Sequence, residues 1–258
     1  MDVHGKIAVI TGASSGIGAL MAQMLAQRGA VPVLMARSEQ KLAEASAKIE
    51  GKHGIYRLDV TSAEQVTATM ERVIAEYGRI DILINNAGYG VFDPFVTAPL
   101  SEFESMMDVN YMGTVRCTKA VLPSMLKQGS GHIVNIASMA GKIGSAKSSA
   151  YSATKHAVLG LTNCLRQELV GTGVRLTAVN PGPIDTPFFD RADPSGNYVK
   201  NVQWFMLKPE HVARAVLEAI ERGTPEVNLP FMAAAGVKLY QLFPRLFDGI
   251  AYKLLNKK

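Results

Sequence analysis

The sequence predicts an α/β fold in which a doubly wound parallel sheet carries helices on both faces. Short apolar runs alternate repeatedly with longer amphipathic stretches, and this alternation is typical of the strand–helix units of a parallel sheet. The first, fourth and fifth apolar runs show little polar alternation, as expected for strands that are covered on both faces. No linker, repeat or change in composition divides the 258 residues, so we expect a single domain over 1–258.

The predicted elements follow one another in a regular order. Strands are predicted at 7–10, 31–35, 55–58, 82–84, 133–136 and 174–179. Helices are predicted near 17–29, 39–50, 62–77, 102–127, 152–170 and 210–222. Capping boxes of Thr61 with Glu64 and of Ser101 with Glu104 predict where two of these helices begin. Pro32 favours the start of the second strand, because proline donates no hydrogen bond within a sheet.

Composition and charge argue against several classes of protein. The formal net charge of +5 comes from scattered residues rather than from a basic block, which argues against nucleic-acid binding. Cys117 and Cys164 belong to no redox or metal-binding motif, so we expect two buried, reduced thiols in a cytoplasmic protein. The five histidines show no metal-ligand spacing, and no metal is expected. The chain begins without an apolar signal region and has no uninterrupted apolar stretch that could span a bilayer.

A glycine-rich run, TGASSGIG at 11–18, lies directly between the first predicted strand and the first predicted helix. Its glycines let the backbone turn tightly and approach a pyrophosphate, whose charge the helix N-terminus stabilises. The spacing is G-x-x-x-G-x-G, and the alternative is an ordinary glycine-rich surface turn. Dinucleotide contacts are predicted for Gly12, Ser14, Ser15, Gly16, Ile17 and Gly18.

The end of the second strand predicts which dinucleotide is bound. An acidic residue there would bond the ribose of NAD, whereas a basic residue would accept the 2′-phosphate of NADP. The sequence places Arg37 and Ser38 at this position and no carboxylate, which predicts NADP(H) as the cofactor. Ser38 is equally well explained as a helix N-cap.

Two further strand ends contribute predicted cofactor contacts. Asp59 and Val60 follow the third strand, where a side chain can reach an adenine edge, although Asp59 can also serve as a turn residue. The run NNAG at 85–88 ends the fourth strand, and its small and amide residues let a cofactor lie close to the backbone. Contacts are predicted for Asn86, Ala87 and Gly88.

Tyr151 and Lys155 lie four residues apart and therefore share one face of a helix. A nearby ammonium lowers the pKa of a phenol by favouring the phenolate. A phenol tuned in this way can donate a proton to an alkoxide or take one from an alcohol. The spacing alone also fits a solvated helix face, so the surrounding motifs must decide between these two interpretations.

Several motifs together resemble the short-chain dehydrogenase/reductase family over residues 5–230. The motifs are TGASSGIG (11–18), NNAG (85–88), Asn110, Ser138, YSATK (151–155) and PGPIDT (181–186), in the order of that family. The resemblance implies a single-domain, Rossmann-type sheet with helices on both faces. It also implies an oxidoreductase that uses a nicotinamide cofactor.

The resemblance implies a catalytic role for each of four residues. Tyr151 resembles the general acid/base, and Lys155 resembles the residue that lowers its pKa and binds the nicotinamide ribose; both are predicted to contact the cofactor. Ser138 resembles the hydroxyl that polarises the substrate carbonyl, while Asn110 resembles the residue that holds a water in a proton relay. These roles are chemically consistent, because hydride addition places negative charge on an oxygen that two donors can stabilise.

The loop after the sixth strand, 181–186, closes over the nicotinamide in the family. By this resemblance Thr186 bonds the carboxamide, and Ile184 packs near the ring. Contacts are also predicted for Pro181 and Gly182, although the prolines equally explain the run as a rigid turn.

The segment 187–208 loses clear periodicity, and the family resemblance makes it the substrate lid. Its bulky residues predict a large apolar substrate, or else simply pack the segment onto the core. They are Phe188, Phe189, Tyr198, Trp204, Phe205 and Met206. The resemblance places 93–95 and 142–144 in the other walls of the substrate site.

The C-terminal extension, 231–258, carries apolar residues at helical spacing, and Pro244 is expected to divide it into two short helices. The apolar positions are Leu239, Phe243, Leu246, Phe247, Ile250 and Leu254. Such a stripe packs on its own core or on a partner subunit. The alternative is a peripheral contact with a membrane surface.

These observations predict a cytoplasmic, NADPH-dependent reductase that interconverts a ketone and a secondary alcohol on a bulky or lipid-like skeleton. The resemblance implies a homodimer or homotetramer that forms through the helices at 102–127 and 152–170. One alternative is a 3-oxoacyl-carrier-protein reductase, for which Arg116, Lys119 and Lys127 offer only a scattered docking face. The other is a protein that binds NADP(H) without turnover.

Overall fold

A computed structural model describes residues 1–243, apart from the side chains of 232–234. Its strands form one parallel sheet in the order β3-β2-β1-β4-β5-β6-β7. The strands are β1 (Ile7–Thr11), β2 (Val31–Ala36), β3 (Gly54–Arg57), β4 (Ile82–Asn85), β5 (Gly131–Ile136), β6 (Val174–Pro181) and β7 (Glu226–Leu229). The chain leaves β1 towards β2 on one side and returns to β4 on the other, so the predicted doubly wound, Rossmann-type fold is confirmed.

Helices cover both faces of this sheet. They are α1 (Gly16–Gln27), α2 (Glu39–Ser46), α3 (Ala63–Tyr77), α4 (Leu100–Met106), α5 (Gly113–Gln128), α6 (Ser149–Glu168), α7 (Phe188–Ala192), α8 (Asn197–Val202), α9 (Pro209–Arg222) and α10 (Phe231–Leu242). Helices α1, α2 and α9 pack on one face, and α3 and α5 pack on the other. Neighbouring residues of β1 divide between the two cores: Ala8 and Ile10 enter the first, while Ile7 and Val9 enter the second. This period of two explains why the strand reads as continuously apolar.

Several predicted helix boundaries are wrong. The helix predicted at 102–127 begins at Leu100 as α4, passes through a π-helical turn at Met107–Met112, and continues as α5. The helix predicted at 152–170 is α6, which begins three residues earlier, at Ser149. The helix predicted at 39–50 ends at Ser46. A π turn inserts an extra residue into a helical pattern, so periodicity alone does not reveal it.

Both predicted capping boxes are wrong as well. Ser62 caps α3 by accepting a hydrogen bond from the backbone N–H of Gln65 at 3.2 Å. Thr61 instead donates its hydroxyl to the carboxylate of Asp59 at 2.8 Å. Helix α4 begins after Pro99, which leaves Ser101 inside the helix. Serine and threonine have several local hydrogen-bonding options, and the actual neighbours decide among them.

The sequence patterns missed β7 and the short helices α7 and α8. Strand β7 is only half-buried and carries the polar residues Glu226 and Asn228, so it lacks the apolar run that identified the other strands. In the C-terminal extension, a helix is observed over Phe231–Leu242, and the predictions that involve Pro244, Leu246, Phe247, Ile250 and Leu254 lie outside the described residues. Of the two cysteines, Cys117 is buried as expected, whereas Cys164 is exposed.

The carboxyl ends of β1, β4, β5 and β6 meet along one edge of the sheet. Strands are added to the sheet in one direction from β1 to β3 and in the opposite direction from β4 onwards. This reversal opens a crevice between β1 and β4 at that edge. Each loop that leaves the edge carries one of the motifs identified in the sequence. The fold therefore brings motifs that are far apart in sequence into one cleft.

Candidate active site

A cleft of about 780 Å³ runs along the carboxyl edge of the sheet. The structure brings together in its walls every residue for which a cofactor contact is predicted, and the catalytic candidate Ser138. These residues are Gly12, Ser14, Ser15, Gly16, Ile17, Gly18, Arg37, Ser38, Asp59, Val60, Asn86, Ala87, Gly88, Ser138, Tyr151, Lys155, Pro181, Gly182, Ile184 and Thr186. The remaining candidate, Asn110, is buried behind the wall.

The glycine-rich loop needs its glycines for two different reasons. Gly12 and Gly16 have positive φ angles of 64° and 56°, which side chains rarely adopt. Gly18 is required for space, because a Cβ there would overlap the carbonyl oxygen of Gly12 and lie 2.6 Å from Asn86 Nδ2. A Cβ on Gly16 would meet nothing closer than Thr186, at 3.7 Å. The loop is thus packed against the protein on one side and open to the cleft on the other.

Thr11 and Asn86 join the ends of β1 and β4. The hydroxyl oxygen of Thr11 accepts hydrogen bonds from the backbone N–H groups of Asn86 and Ala87, each at 3.0 Å. The amide of Asn86 donates to the carbonyl oxygens of Thr11 at 2.9 Å and Gly12 at 3.1 Å. Backbone groups at the switch point are therefore held in place by side chains. Thr11 belongs to the quoted motif, but its role in this junction was missed.

The end of β2 presents two cations to the cleft. Arg37 is exposed there, and Lys41, which follows one helical turn later, also lines the cleft. Lys41 was missed by the sequence reasoning, although its position in the first turn of α2 was a usable signal. Ser38 acts as the helix N-cap, since its hydroxyl accepts from the N–H of Lys41 at 3.3 Å.

Asp59 combines a structural role with a place in the cleft. One carboxylate oxygen accepts hydrogen bonds from the backbone N–H of Thr61 at 3.0 Å and from its hydroxyl at 2.8 Å. Burial raises the pKa of Asp59, but the bonds from Thr61 and the charges of Arg37 and Arg116 bring that pKa below its ordinary value. The carboxylate therefore stays ionised near Arg37.

The side chains of Ser138, Tyr151 and Lys155 converge where β5 and β6 end. The Ser138 hydroxyl donates to the carbonyl oxygen of Pro181 at 3.3 Å and accepts from the N–H of Ala140 at 3.1 Å. The ammonium of Lys155 donates to the carbonyl oxygen of Ile136 at 2.7 Å and lies 5.7 Å from the centre of the Tyr151 ring. Bonds to the end of β6 and to the loop after β5 therefore hold Ser138, and a bond to the end of β5 holds Lys155.

Burial dominates the ionisation of this group. It raises the pKa of Tyr151 to about 12, although a hydrogen bond with Ser138 lowers that pKa and Tyr198 raises it further. Burial also lowers the pKa of Lys155 to about 8. The structure therefore does not show the expected lowering of the Tyr151 pKa, because desolvation of the phenol is the largest influence on that pKa. At neutral pH the phenol is protonated and the ammonium is charged.

Asn110 connects the site to the loop beside it. It lies in the π-helical turn, where its side-chain oxygen accepts from the N–H of Tyr89 at 3.0 Å. Its amide donates to the carbonyl oxygen of Tyr89 at 2.9 Å and to the hydroxyl of Thr154 at 3.0 Å. Asn110 therefore fixes the loop after β4 to helix α6, which carries Tyr151 and Lys155. The proposed role of Asn110 in holding a water remains a prediction.

Aromatic rings surround the Tyr151 phenol on the side away from the glycine loop. Phe188 lies 5.6 Å and Phe92 6.1 Å from the Tyr151 ring, measured between ring centres. Tyr198 packs edge-on against Phe92 at 5.2 Å, and Phe189 lies 5.6 Å from Tyr198. These rings form an apolar pocket next to the only phenol that the motifs single out.

The segment 187–208 contributes four of its six predicted bulky residues to the cleft. Phe188, Phe189, Tyr198 and Phe205 line it, whereas Trp204 is 80% exposed and Met206 lies outside the lining. The rings that line the pocket also pack on one another, and the large apolar substrate remains a prediction.

The other walls differ from the prediction. Residues 93–95 are exposed, and Phe92 lines the cleft in their place. Of 142–144, only Ile143 lines it. Val237 of α10 packs against Met139 and Ile143 and closes this side. Family resemblance missed Phe92 by a single residue, and no local pattern marked Val237.

The described residues contain neither a metal-binding cluster nor a membrane-spanning helix. No three side chains among the histidines, cysteines and acidic residues of 1–243 lie together in a way that could hold a metal ion. No helix in this part of the chain is long and apolar enough to cross a bilayer.

Comparison with known proteins gives consistent matches. A family model described as short chain dehydrogenase matches residues 6–195. An uncharacterized oxidoreductase of Staphylococcus saprophyticus is 41% identical over 226 residues, which cover 86% of this chain and 94% of that protein. One from Staphylococcus haemolyticus is 38% identical over 220 residues, covering 85% of this chain and 92% of that protein.

Two solved structures share the fold of this chain and contain different cofactors. A short chain dehydrogenase/reductase from Burkholderia phymatum, in complex with NAD, superposes with a TM-score of 0.88 at 28% identity, covering 95% of this chain and 96% of that one. A serine dehydrogenase complexed with NADP+ superposes with a TM-score of 0.81 at 32% identity, covering 86% of this chain and 94% of that one. The two bound dinucleotides support a nicotinamide cofactor without selecting between NAD and NADP.

Proposed function

This chain belongs to the short-chain dehydrogenase family, and we propose that it is an NADPH-dependent reductase that interconverts a ketone and a secondary alcohol on a bulky, apolar substrate. The oxidoreductase class follows from the family. The observation that carries the finer proposal is the buried Tyr151 phenol, which lines the cleft together with Ser138 and is flanked by the rings of Phe92 and Phe188. A protonated phenol beside a second hydroxyl suits the reduction of a carbonyl.

The glycine loop fits a dinucleotide. Gly16 leaves open space at the N-terminus of α1, where a side chain would fill the approach of a pyrophosphate to the backbone. Arg37 and Lys41 both line the cleft beyond β2, and no carboxylate stands at the tip of that strand. A pair of cations suits the 2′-phosphate that distinguishes NADP from NAD. These observations support NADP(H).

The residues of the chain supply the proton and the oriented donors. A bound NADPH would supply the hydride. Tyr151, whose pKa is raised to about 12, is a neutral proton donor at physiological pH. Ser138 can hold the carbonyl oxygen beside Tyr151, and Lys155 supplies positive charge below its pKa of about 8. Two donors and one cation therefore stabilise the oxygen as it becomes negative, which supports the reductive direction.

The pocket next to Tyr151 supports an apolar substrate. Its rings belong to Phe92, Phe188, Phe189 and Tyr198, and we propose that the segment 187–208 acts as the substrate lid. Aromatic side chains provide a large contact area for apolar groups. A carrier-protein substrate is less well supported, because Arg116 of the suggested basic face is paired with Asp108 at 2.6 Å.

Oxidation of NADPH across a panel of aliphatic, aromatic and sterol-like ketones tests this function. We expect Tyr151→Phe to abolish turnover while NADPH binding, measured by fluorescence titration, is retained. Tyr77→Phe, on α3 and outside the cleft, is the matched control and should leave turnover unchanged. Binding of NADPH by the wild type without turnover of any ketone would support a sensing protein instead.

We also propose that the protein assembles as a homodimer or homotetramer through α5 and α6, as the family resemblance implies. Leu126 near the end of α5 and Val170 just beyond α6 are exposed apolar residues, which supports burial of these ends in an assembly. Sedimentation velocity measures the assembly state directly. A monomer at micromolar concentration would contradict the proposal.

A peripheral membrane contact through the C-terminal extension is a separate proposal with support from α10. Val237 packs on the protein, but Phe231 and Leu242 remain 78% and 72% exposed. Such residues can enter a lipid interface. Co-sedimentation of the full chain with anionic liposomes, compared with Phe231→Ser and Leu242→Ser, provides the test. Equal and negligible sedimentation of all three proteins would rule out the contact.

A further inference from the structure

A second group of contacts lies beside the aromatic pocket, where helix α7 meets the loop after β4. The guanidinium carbon of Arg191 lies 3.6 Å from the centre of the Tyr89 ring. Arg191 also pairs with the carboxylate of Glu102 at 3.5 Å, and the Tyr89 hydroxyl donates to that carboxylate at 3.3 Å. One arginine of the lid thus contacts a ring and a carboxylate that belong to two other parts of the chain.

The backbone of Tyr89, whose ring lies beneath Arg191, is held by a buried side chain. Both backbone groups of Tyr89 are hydrogen-bonded to the side chain of Asn110, at 3.0 and 2.9 Å. Asn110 is in turn bonded to Thr154, which directly precedes Lys155 on α6 and follows Tyr151 by three residues. Tyr89 is therefore fixed to the helix that carries Tyr151, and Arg191 connects the lid to this fixed point.

The same stretch of chain contacts both ends of α7. The backbone N–H of Phe92 donates to the carbonyl oxygen of Ala192 at 3.0 Å. Gly90 is buried, and a Cβ there would lie 2.8 Å from Phe188 Cζ and 3.2 Å from Tyr151 Cδ2. Helix α7 has only five residues, so it cannot be stable by itself and depends on these contacts.

We propose that Arg191 is a positioning residue: by stacking on Tyr89 and pairing with Glu102, it fixes α7 so that Phe188 and Phe189 form the wall of the substrate pocket beside Tyr151. Arg191 acts through these two rings and takes no part in the chemistry. Cation–π stacking and a partly exposed ion pair each contribute modestly, which suits a contact that must also open for substrate entry. The proposal rests on the proposed function, since it assigns the pocket to the substrate.

Amide hydrogen exchange of the full chain without substrate tests the contact independently of turnover. In Arg191→Ala we expect the amide of Phe92 and those of α7 to exchange about fivefold faster, and the KM for a ketone to rise about fivefold with little change in kcat. Arg191→Lys should recover part of this loss, because lysine keeps the charge for Glu102 but loses the planar stack. Arg222→Ala, an exposed arginine that pairs with Glu218 on α9, is the matched control and should change neither quantity.

A double-mutant cycle with Tyr89→Leu decides whether the stack itself is responsible. We expect Arg191→Ala combined with Tyr89→Leu to exchange no faster than the more affected single variant. Additive effects, or unchanged exchange in Arg191→Ala, would overturn the proposal. If the wild type reduced no ketone, the proposed function would fail, and the exchange cycle would still decide whether Arg191 fixes α7.

Discussion

The two ends of the cleft are built in different ways. At the glycine-loop end, the walls are backbone atoms in fixed positions, held by Thr11 and Asn86 through hydrogen bonds of 2.9 to 3.1 Å. At the pocket end, the walls are aromatic side chains on α7 and α8, which have five and six residues. The first end depends on exact backbone geometry, and the second depends on rings that contact one another.

This difference suggests how each end responds to change. Backbone atoms at the end of a sheet strand cannot move without disturbing the core, because interiors are closely packed. Rings on short helices can rotate or shift at modest cost. We therefore expect the cofactor end to tolerate almost no added atom and the pocket end to adapt to one. Glycines at the two ends allow a direct comparison.

Gly18→Ala is expected to have the largest effect. Its added Cβ would overlap the carbonyl oxygen of Gly12 and lie 2.6 Å from Asn86 Nδ2, which is itself bonded to the backbone. Overpacking of this kind costs about 1–3 kcal/mol, so we expect the Kd for NADPH to rise about 100-fold in a fluorescence titration. Gly160→Ala, in an open position on α6, is the control and should leave binding unchanged. A change of less than threefold in Gly18→Ala would contradict the rigid description of this end.

The same contrast explains which parts of the site could be predicted from the sequence. The cofactor end could be predicted because its determinants are local: TGASSGIG lies within eight residues, between one strand and one helix. The pocket end could be predicted only in part: four bulky residues of 187–208 line the cleft as expected, but Phe92, Val237 and Arg191 join its walls only through tertiary packing. Strand β7 was missed for a related reason, since its place beside β6 rather than its own apolar content makes it a strand.

Arg37→Ala tests the cofactor end by charge instead of shape. Arg37 is exposed at the end of β2 and lines the cleft together with Lys41. Because a charge-assisted hydrogen bond contributes about 1.5–3 kcal/mol, we expect kcat/KM for NADPH to fall about 30-fold while that for NADH is unchanged. Arg214→Ala, exposed on α9, is the control. A wild-type preference for NADH, or an equal loss with both cofactors, would show that Arg37 does not select the phosphate.

Activity should depend on pH through Lys155, which lies where the two ends of the cleft meet. Its folded-state pKa is lowered to about 8, so the ammonium is charged below that pH and neutral above it. Tyr151 remains protonated over the same range, because its pKa is raised to about 12. We therefore expect kcat/KM for NADPH, which reports the free enzyme, to fall about tenfold from pH 7 to pH 9. A flat profile up to pH 9 would mean that burial lowers the pKa of Lys155 less than the structure indicates.

Gly90→Ala is expected to have the smallest effect, and it completes the comparison with Gly18. The added Cβ would lie 2.8 Å from Phe188 Cζ, the far end of a ring, and 3.2 Å from Tyr151 Cδ2. Because the Phe188 ring can swing aside, we expect the KM for a ketone to rise only about threefold, less than full overpacking would cause. The Kd for NADPH should stay unchanged, since no added atom reaches the glycine loop. A loss as large as that of Gly18→Ala would mean that the pocket is as rigid as the cofactor end and that its rings select the substrate by fixed shape.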